Sequence, residues 1–190
     1  MDLSYKNDLT FKDQDFTKKE LPKAEYDNCT FVNCNFEDSY LSSFVFLDSE
    51  FIDCNLSNTK IKETTFKDIR FTSCKLVGMP FNTCNAFLLS VNFSGCNLEF
   101  ASFRDLKLVL TSFKNCALHH TDFTAVNLTG SSLIECDMKE AIFENTNLEK
   151  VDFRTSYNFC FNPDLNRMKK AKFSKEGIHG LLQHLNILIE

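Results

Sequence analysis

The sequence predicts an all-β solenoid, a chain that turns a corner every five residues and stacks its turns into a rod. Three observations predict it. An apolar residue recurs at every fifth position, cysteines recur at every twentieth, and phenylalanine is abundant where turn formers are scarce. The 190 residues include 21 Phe and nine Cys, with five Gly, three Pro and no Trp. That balance argues against a Gly/Pro-turned β-sandwich and for one apolar shape used repeatedly.

Stepping by five from Phe11 reaches Phe16, Leu21, Tyr26 and Phe31 and continues to Phe81; all fifteen positions are large and apolar. A second series runs from Leu88 through Phe93 and Leu98 to Phe153, and all fourteen are apolar. The series differ in phase by two, which predicts a two-residue insertion within 82–87. A period of five fits neither an α-helix (about 3.6) nor a flat strand (2). It fits a chain that bends at each repeat and points its central residue into a core. The residue two before each centre also points inward and is expected to be small. The other positions point outward and are mostly Asn, Asp, Ser, Thr, Lys and Glu.

Short runs repeat a motif: Cys34-Asn35-Phe36, Cys54-Asn55-Leu56, Cys96-Asn97-Leu98, Val126-Asn127-Leu128 and Thr146-Asn147-Leu148. The pattern resembles the pentapeptide-repeat family, whose consensus reads roughly Ala-(Asp/Asn)-Leu-x-x, over about residues 9–156. The resemblance implies a right-handed quadrilateral β-helix with four pentapeptides per square coil, hence a face period of 20. The cysteines agree independently. Cys34, Cys54 and Cys74 are 20 apart, as are Cys96, Cys116 and Cys136, and the gap from 74 to 96 is 20 plus the insertion. A second face carries Phe11, Phe31, Phe51, Phe71, Phe93, Phe113, Leu133 and Phe153. Coils about 4.8 Å apart would make seven turns a rod on the order of 35 Å long.

Six stacked cysteines invite a metal or redox reading, but that needs thiolates converging on one ion, and no Cys-x-x-Cys pair exists. Parallel thiols in an apolar interior act as small hydrophobes. Cys29 and Cys84 share the same inward slot; Cys160 falls outside the repeat.

The expected division is a β-helix over 1–156 and a capping or dimerisation segment over 157–190. Asn162-Pro163 signals a turn, and Ser174 is a candidate helix cap. Ile178, Leu181, Leu182 and Leu185 follow at i, i+3, i+4 and i+7, predicting one apolar helix face. Ile187-Leu188-Ile189 would add a short strand. The tail resembles that of the Qnr/McbG/MfpA-like branch, which implies an end-to-end homodimer through Ile178, Leu181, Leu182, Leu185, Ile187 and Leu188. A monomeric cap is the alternative, because a solenoid end must cover its open core.

No catalytic arrangement emerges, so no cofactor, metal or enzyme activity is expected. His119 and His120 sit at outward positions and His179 and His184 in the tail; there is no phosphate-binding glycine loop. The start, Met1-Asp2-Leu3-Ser4-Tyr5-Lys6, does not read as a signal peptide, and no stretch nears the roughly 20 apolar residues of a membrane span. The expectation is a cytoplasmic protein with reduced thiols. A net charge of −5 disfavours direct binding to nucleic acid or anionic membranes.

Function must then lie on the outer surface. Residues 24–59 hold Glu25, Asp27, Glu37, Asp38, Asp48, Glu50 and Asp53 and neither Lys nor Arg. The branch resemblance implies a DNA-mimicking binder of DNA gyrase or topoisomerase IV that protects from quinolones or a gyrase toxin. The chain departs from the Gram-negative Qnr pattern in having a two-residue insertion where those proteins carry long loops. The competing reading is a general interaction scaffold. It rests on apolar residues at outward slots, Val45, Leu47, Phe87, Leu89, Val109 and Leu110, which form a contact stripe if contiguous.

Overall fold

The computed structural model describes residues 3–188. It is a right-handed parallel β-helix of about seven turns. Among the described residues eleven short strands, β1–β11 in chain order, form two parallel sheets. The first face of the rod pairs β1 (Ser4–Asn7), β3 (Ala24–Asp27), β5 (Val45–Leu47) and β7 (Thr65–Lys67). The second pairs β2 (Thr10–Lys12), β4 (Thr30–Val32), β6 (Glu50–Ile52), β8 (Ile69–Thr72), β9 (Val91–Ser94), β10 (Ser112–Lys114) and β11 (Ser132–Ile134). Single parallel bridges hold the other two faces: Asn35↔Asn55↔Lys75↔Asn97↔Ala117 on the third, Ser102↔Asp122↔Ile142 on the fourth.

The motif has a local cause. In Cys54-Asn55-Leu56 the Asn55 carboxamide oxygen accepts the Ser57 N–H at 3.1 Å. The Leu56 carbonyl accepts the Thr59 N–H at 3.2 Å. Between them Asn58 takes φ 55°. Asn and Asp tolerate this left-handed conformation better than most residues, which explains their recurrence two places after each centre.

The core is a set of ladders. On the second face the Phe11, Phe31, Phe51 and Phe71 rings stack at 4.8, 4.7 and 5.1 Å. On the fourth, Phe81, Phe103, Phe123 and Phe143 stack at 4.7, 5.3 and 5.0 Å. Such aromatic pairs add about 0.5–1.5 kcal/mol each beyond area burial. Inward hydroxyls are satisfied by a carbonyl 23 residues earlier: Thr59 donates to Phe36 at 2.8 Å and Ser156 to Leu133 at 2.7 Å. The inward slot before each centre is not uniformly small. Phe44, Ile69, Met79 and Leu106 occupy it and are buried. Phe44 fits by stacking on Phe46 at 6.0 Å.

The insertion overlaps the expected 82–87 and runs just past it. Asn85 still donates its N–H to Thr64, in the 20-residue register, and Val91 pairs with Ile69 at 22. The extra residues are thus extruded between 85 and 91 as a 3-10 turn over Ala86–Leu88. Leu88 is not a core centre, being 42% exposed; Leu89 packs on the core instead.

The tail also differs from expectation. In place of an α-helix it forms two 3-10 turns, Gly177–Leu181 and Gln183–Leu185. Two glycines weaken a helix here. Gly180 also lies so close to Phe159 that a Cβ would sit 1.9 Å from its carbonyl oxygen. Asn186, at φ 50°, ends the segment. Ser174 Oγ accepts the Gly177 N–H at 3.0 Å, but the N-cap position of the first 3-10 turn is Glu176, whose side chain makes no capping bond. Ile187 and Leu188 are not strand, and Ile189 lies outside the described residues. Bridges Asn147↔Arg167 and Asp152↔Lys172 carry the coil into 157–173.

Candidate interaction surface

The interior offers no reactive group to solvent. Cys54 donates its Sγ–H to the Phe31 carbonyl at 3.3 Å, Cys74 to Phe51 at 3.3 Å and Cys96 to Phe71 at 3.4 Å. Hydrogen bonds to neighbouring thiols, then burial, push Cys34, Cys74 and Cys116 upward from the usual thiol range. Burial pushes Cys84 up to about 12. Among the described residues no group of three His, Cys, Asp or Glu could hold a metal ion. Cys160 is exposed. It lines an open groove of about 680 Å³ with Tyr157, His179 and Gln183.

The acidic residues of 24–59 do not form one patch. Glu25 and Asp27 lie on β3 of the first face, and Glu50 lies on β6 of the second. Asp48 is at the corner between those faces, Asp53 at the next corner, and Glu37 and Asp38 at the one after. Some are engaged. Asp27 accepts the Tyr5 hydroxyl at 2.8 Å, Glu37 accepts Asn55 at 3.2 Å, and Glu50 pairs with Arg70. What the structure assembles is columns. Asp8, Asp48 and Asp68 share one corner, and Asp13 and Asp53 share the next. Asp8, Asp13 and Asp68 lie outside the contiguous block; a 20-residue step from Asp48 and Asp53 finds them.

The apolar stripe divides. Phe87 is 90% exposed and Leu110 75%, with Leu88 and Val109 beside them. Leu89 turns inward. Val45 and Leu47 are half-buried on β5 and pair with Thr65 and Lys67, which separate them from the turn. In the tail, Leu181 is buried and Leu182 half-buried, while Ile178, Leu185, Ile187 and Leu188 are exposed.

Two of the four histidines, His119 and His120, lie beside carboxylates one coil on. His119 Nε2 is 2.9 Å from Asp137 Oδ2, and His120 Nδ1 is 3.2 Å from Glu140 Oε2. His120 also stacks on Phe100 at 4.7 Å. Among the described residues no helix is long and apolar enough to cross a membrane.

A solid stack of square coils with a patterned exterior defines a class of protein, the quadrilateral β-helix built from five-residue repeats. The chain belongs to the pentapeptide-repeat family, matching the pentapeptide repeat region over residues 24–103 and 80–153. Among solved structures it is similar to QnrB1, described as a plasmid-mediated fluoroquinolone resistance protein. One trypsin-treated form superposes with a TM-score of 0.76 at 18% identity, covering 98% of this chain and 92% of that one. The full-length form gives 0.62 at 15% identity, covering 97% of this chain and 100% of that one. At these identities the likeness establishes the fold. No curated protein matches the sequence.

Proposed function

We propose that the protein is a non-enzymatic binder of a type II topoisomerase, DNA gyrase or topoisomerase IV, occupying the enzyme's DNA-binding surface and protecting it from quinolones or a toxin. The observation that carries the reading is the pair of corner columns, Asp8/Asp48/Asp68 with Asn28 between and Asp13/Asp53 with Asn33 between, flanking one face of the rod. Negative charges on two parallel edges present a DNA-binding groove with a stand-in for phosphate rows. The QnrB1 likeness over nearly the whole chain supports it. The reading includes a cytoplasmic homodimer joined through the tail, and no direct contact with nucleic acid.

The test is gyrase supercoiling at increasing protein concentration, with and without ciprofloxacin. The expected result is inhibition or quinolone protection at micromolar protein, weakening as salt rises. No effect in either arm would remove the reading. The second reading, a general interaction scaffold, is favoured by exposed Phe87 and Leu110. It predicts a protein partner whose binding is insensitive to Asp48→Lys and Asp68→Lys.

A further inference from the structure

The corner between the first and second faces carries three chemistries in order. At 20-residue steps it holds Asp8, Asn28, Asp48 and Asp68, all exposed. The extruded turn follows, with Phe87 and Leu88 outward; Ser90 ties it to Asp68 by a 2.8 Å hydroxyl–carboxylate bond. One coil on stands Leu110, then Gly130, then exposed Lys150 and Lys170. The edge thus runs from acidic through apolar to basic.

The apolar middle is built rather than left over. Leu110 takes φ 60°, a conformation unfavourable for a bulky L-residue, yet it remains mostly exposed. Phe100 on the opposite corner shares this conformation at φ 57° but stacks on His120 at 4.7 Å, so what singles out Leu110 is its place on the corner that carries Phe87. Gly130 leaves room for it: a Cβ there would stand 3.0 Å from Leu110 Cδ2. Phe87 is presented by a capped turn, its N–H held by Asn85 Oδ1 at 3.1 Å.

We propose that this corner is the rod's docking edge and that its occupant is a concave protein groove. That groove is basic where it meets Asp8–Asp68, has an apolar pocket for Phe87 and Leu110, and is acidic where it meets Lys150 and Lys170. The charge order fixes the direction in which the rod lies. A second copy laid antiparallel would match the same charge order, and loss of dimer mass in the Phe87→Ser, Leu110→Asn protein would overturn the groove in its favour. The proposal rests on the topoisomerase reading and adds an anchor and a polarity to it.

The test measures binding rates of the full-length protein on immobilised gyrase. Phe87→Ser with Leu110→Asn is expected to weaken binding about tenfold or more through faster dissociation. Asn suits the corner backbone, so the loss does not arise from unfolding. Lys150→Glu with Lys170→Glu is expected to slow association at low salt. Phe100→Asn, an exposed aromatic on the opposite corner, is expected to change neither rate. Wild-type rates for the Phe87/Leu110 variant, or an equal loss with Phe100→Asn, would overturn the docking edge alone. Absence of binding by the unaltered protein would overturn the functional reading and the edge with it.

Discussion

The rings of Phe71 and Phe93 stack with centroids 5.4 Å apart and planes within 8°, although the chain between them is two residues longer than one coil. The ladder passes the irregularity because the extra residues leave the wall as the Ala86–Leu88 turn and the wall closes behind them. Ring packing and backbone pairing stay in register on both sides.

Deleting Ala86 and Phe87 should therefore be tolerated. It restores the 20-residue step and brings Leu88 to the position below Phe66. Thermal unfolding is expected to stay cooperative, with a midpoint within about 4 °C of the parent. Phe93→Ala, by contrast, should cost about 3–5 kcal/mol in a denaturant titration, because its cavity lies in a ladder that cannot collapse. Loss of cooperative unfolding in the deletion would show that the turn is part of the wall.

Leu110→Asn should stabilise the protein. Leu110 pays for a left-handed backbone with little burial, and the penalty for L-residues is about 1–2 kcal/mol. Losing its contact above Gly130 offsets part of this. The expected net gain is about 0.5–1 kcal/mol by chemical denaturation. A destabilised variant would mean that Leu110 packs as core.

Eight cysteines are buried and Cys160 is exposed. One thiol per chain should react with a disulfide reagent at pH 8 in the native state, and all nine after denaturation. An unfolded thiol ionises near about 8.5, whereas burial pushes folded Cys84 up to about 12. Between those values Cys84 holds fewer protons in the unfolded chain than in the folded one, so its contribution to stability is lost as pH rises from about 8.5 toward 12. A melting temperature that is flat or rising across that window would contradict this.

The repeat, the cysteine column and the phenylalanine ladder were readable in sequence because every repeat must place a large apolar centre in the core, whatever fills the slot before it. Other features were not. Leu88 and Leu89 are identical side chains, and which one turns inward depends on the Asn85 cap and the 3-10 turn. The spacing of Ile178, Leu181, Leu182 and Leu185 suits an α-helix, but it carries no trace of the contact between Gly180 and Phe159. The acidic run 24–59 is contiguous in sequence yet wraps around the rod. Neighbours on this surface are 20 residues apart, so the corner column is the unit that gathers charge.

Gly180→Ala should detach the tail. A methyl group would overlap the Phe159 carbonyl, and Phe161 would lose the 3.2 Å bond from its N–H to the Gly180 carbonyl. Overpacking of this kind costs about 1–3 kcal/mol. The tail should become sensitive to limited proteolysis, and exposed Phe159 and Phe161 should bind a hydrophobic dye. Unchanged protease resistance would mean that the tail is held by something other than this close fit.

The tail divides its apolar residues between two tasks. Leu181 faces inward at the closed end of the core, while Leu185, Ile187 and Leu188 stay outside, Leu188 at 93% exposure. An exposed apolar cluster at a rod's end is the kind of surface that pairs, and pairing with a second copy would need a two-fold axis across the end. Sedimentation of the wild-type protein is expected to give the mass of two chains. Leu185→Asp with Leu188→Asp should reduce that to one chain without lowering the thermal midpoint of the coil, since neither side chain supports the core. Phe87→Ser with Leu110→Asn should leave the mass unchanged, separating the end contact from the lateral edge. A wild-type monomer at micromolar concentration would assign the tail to capping alone.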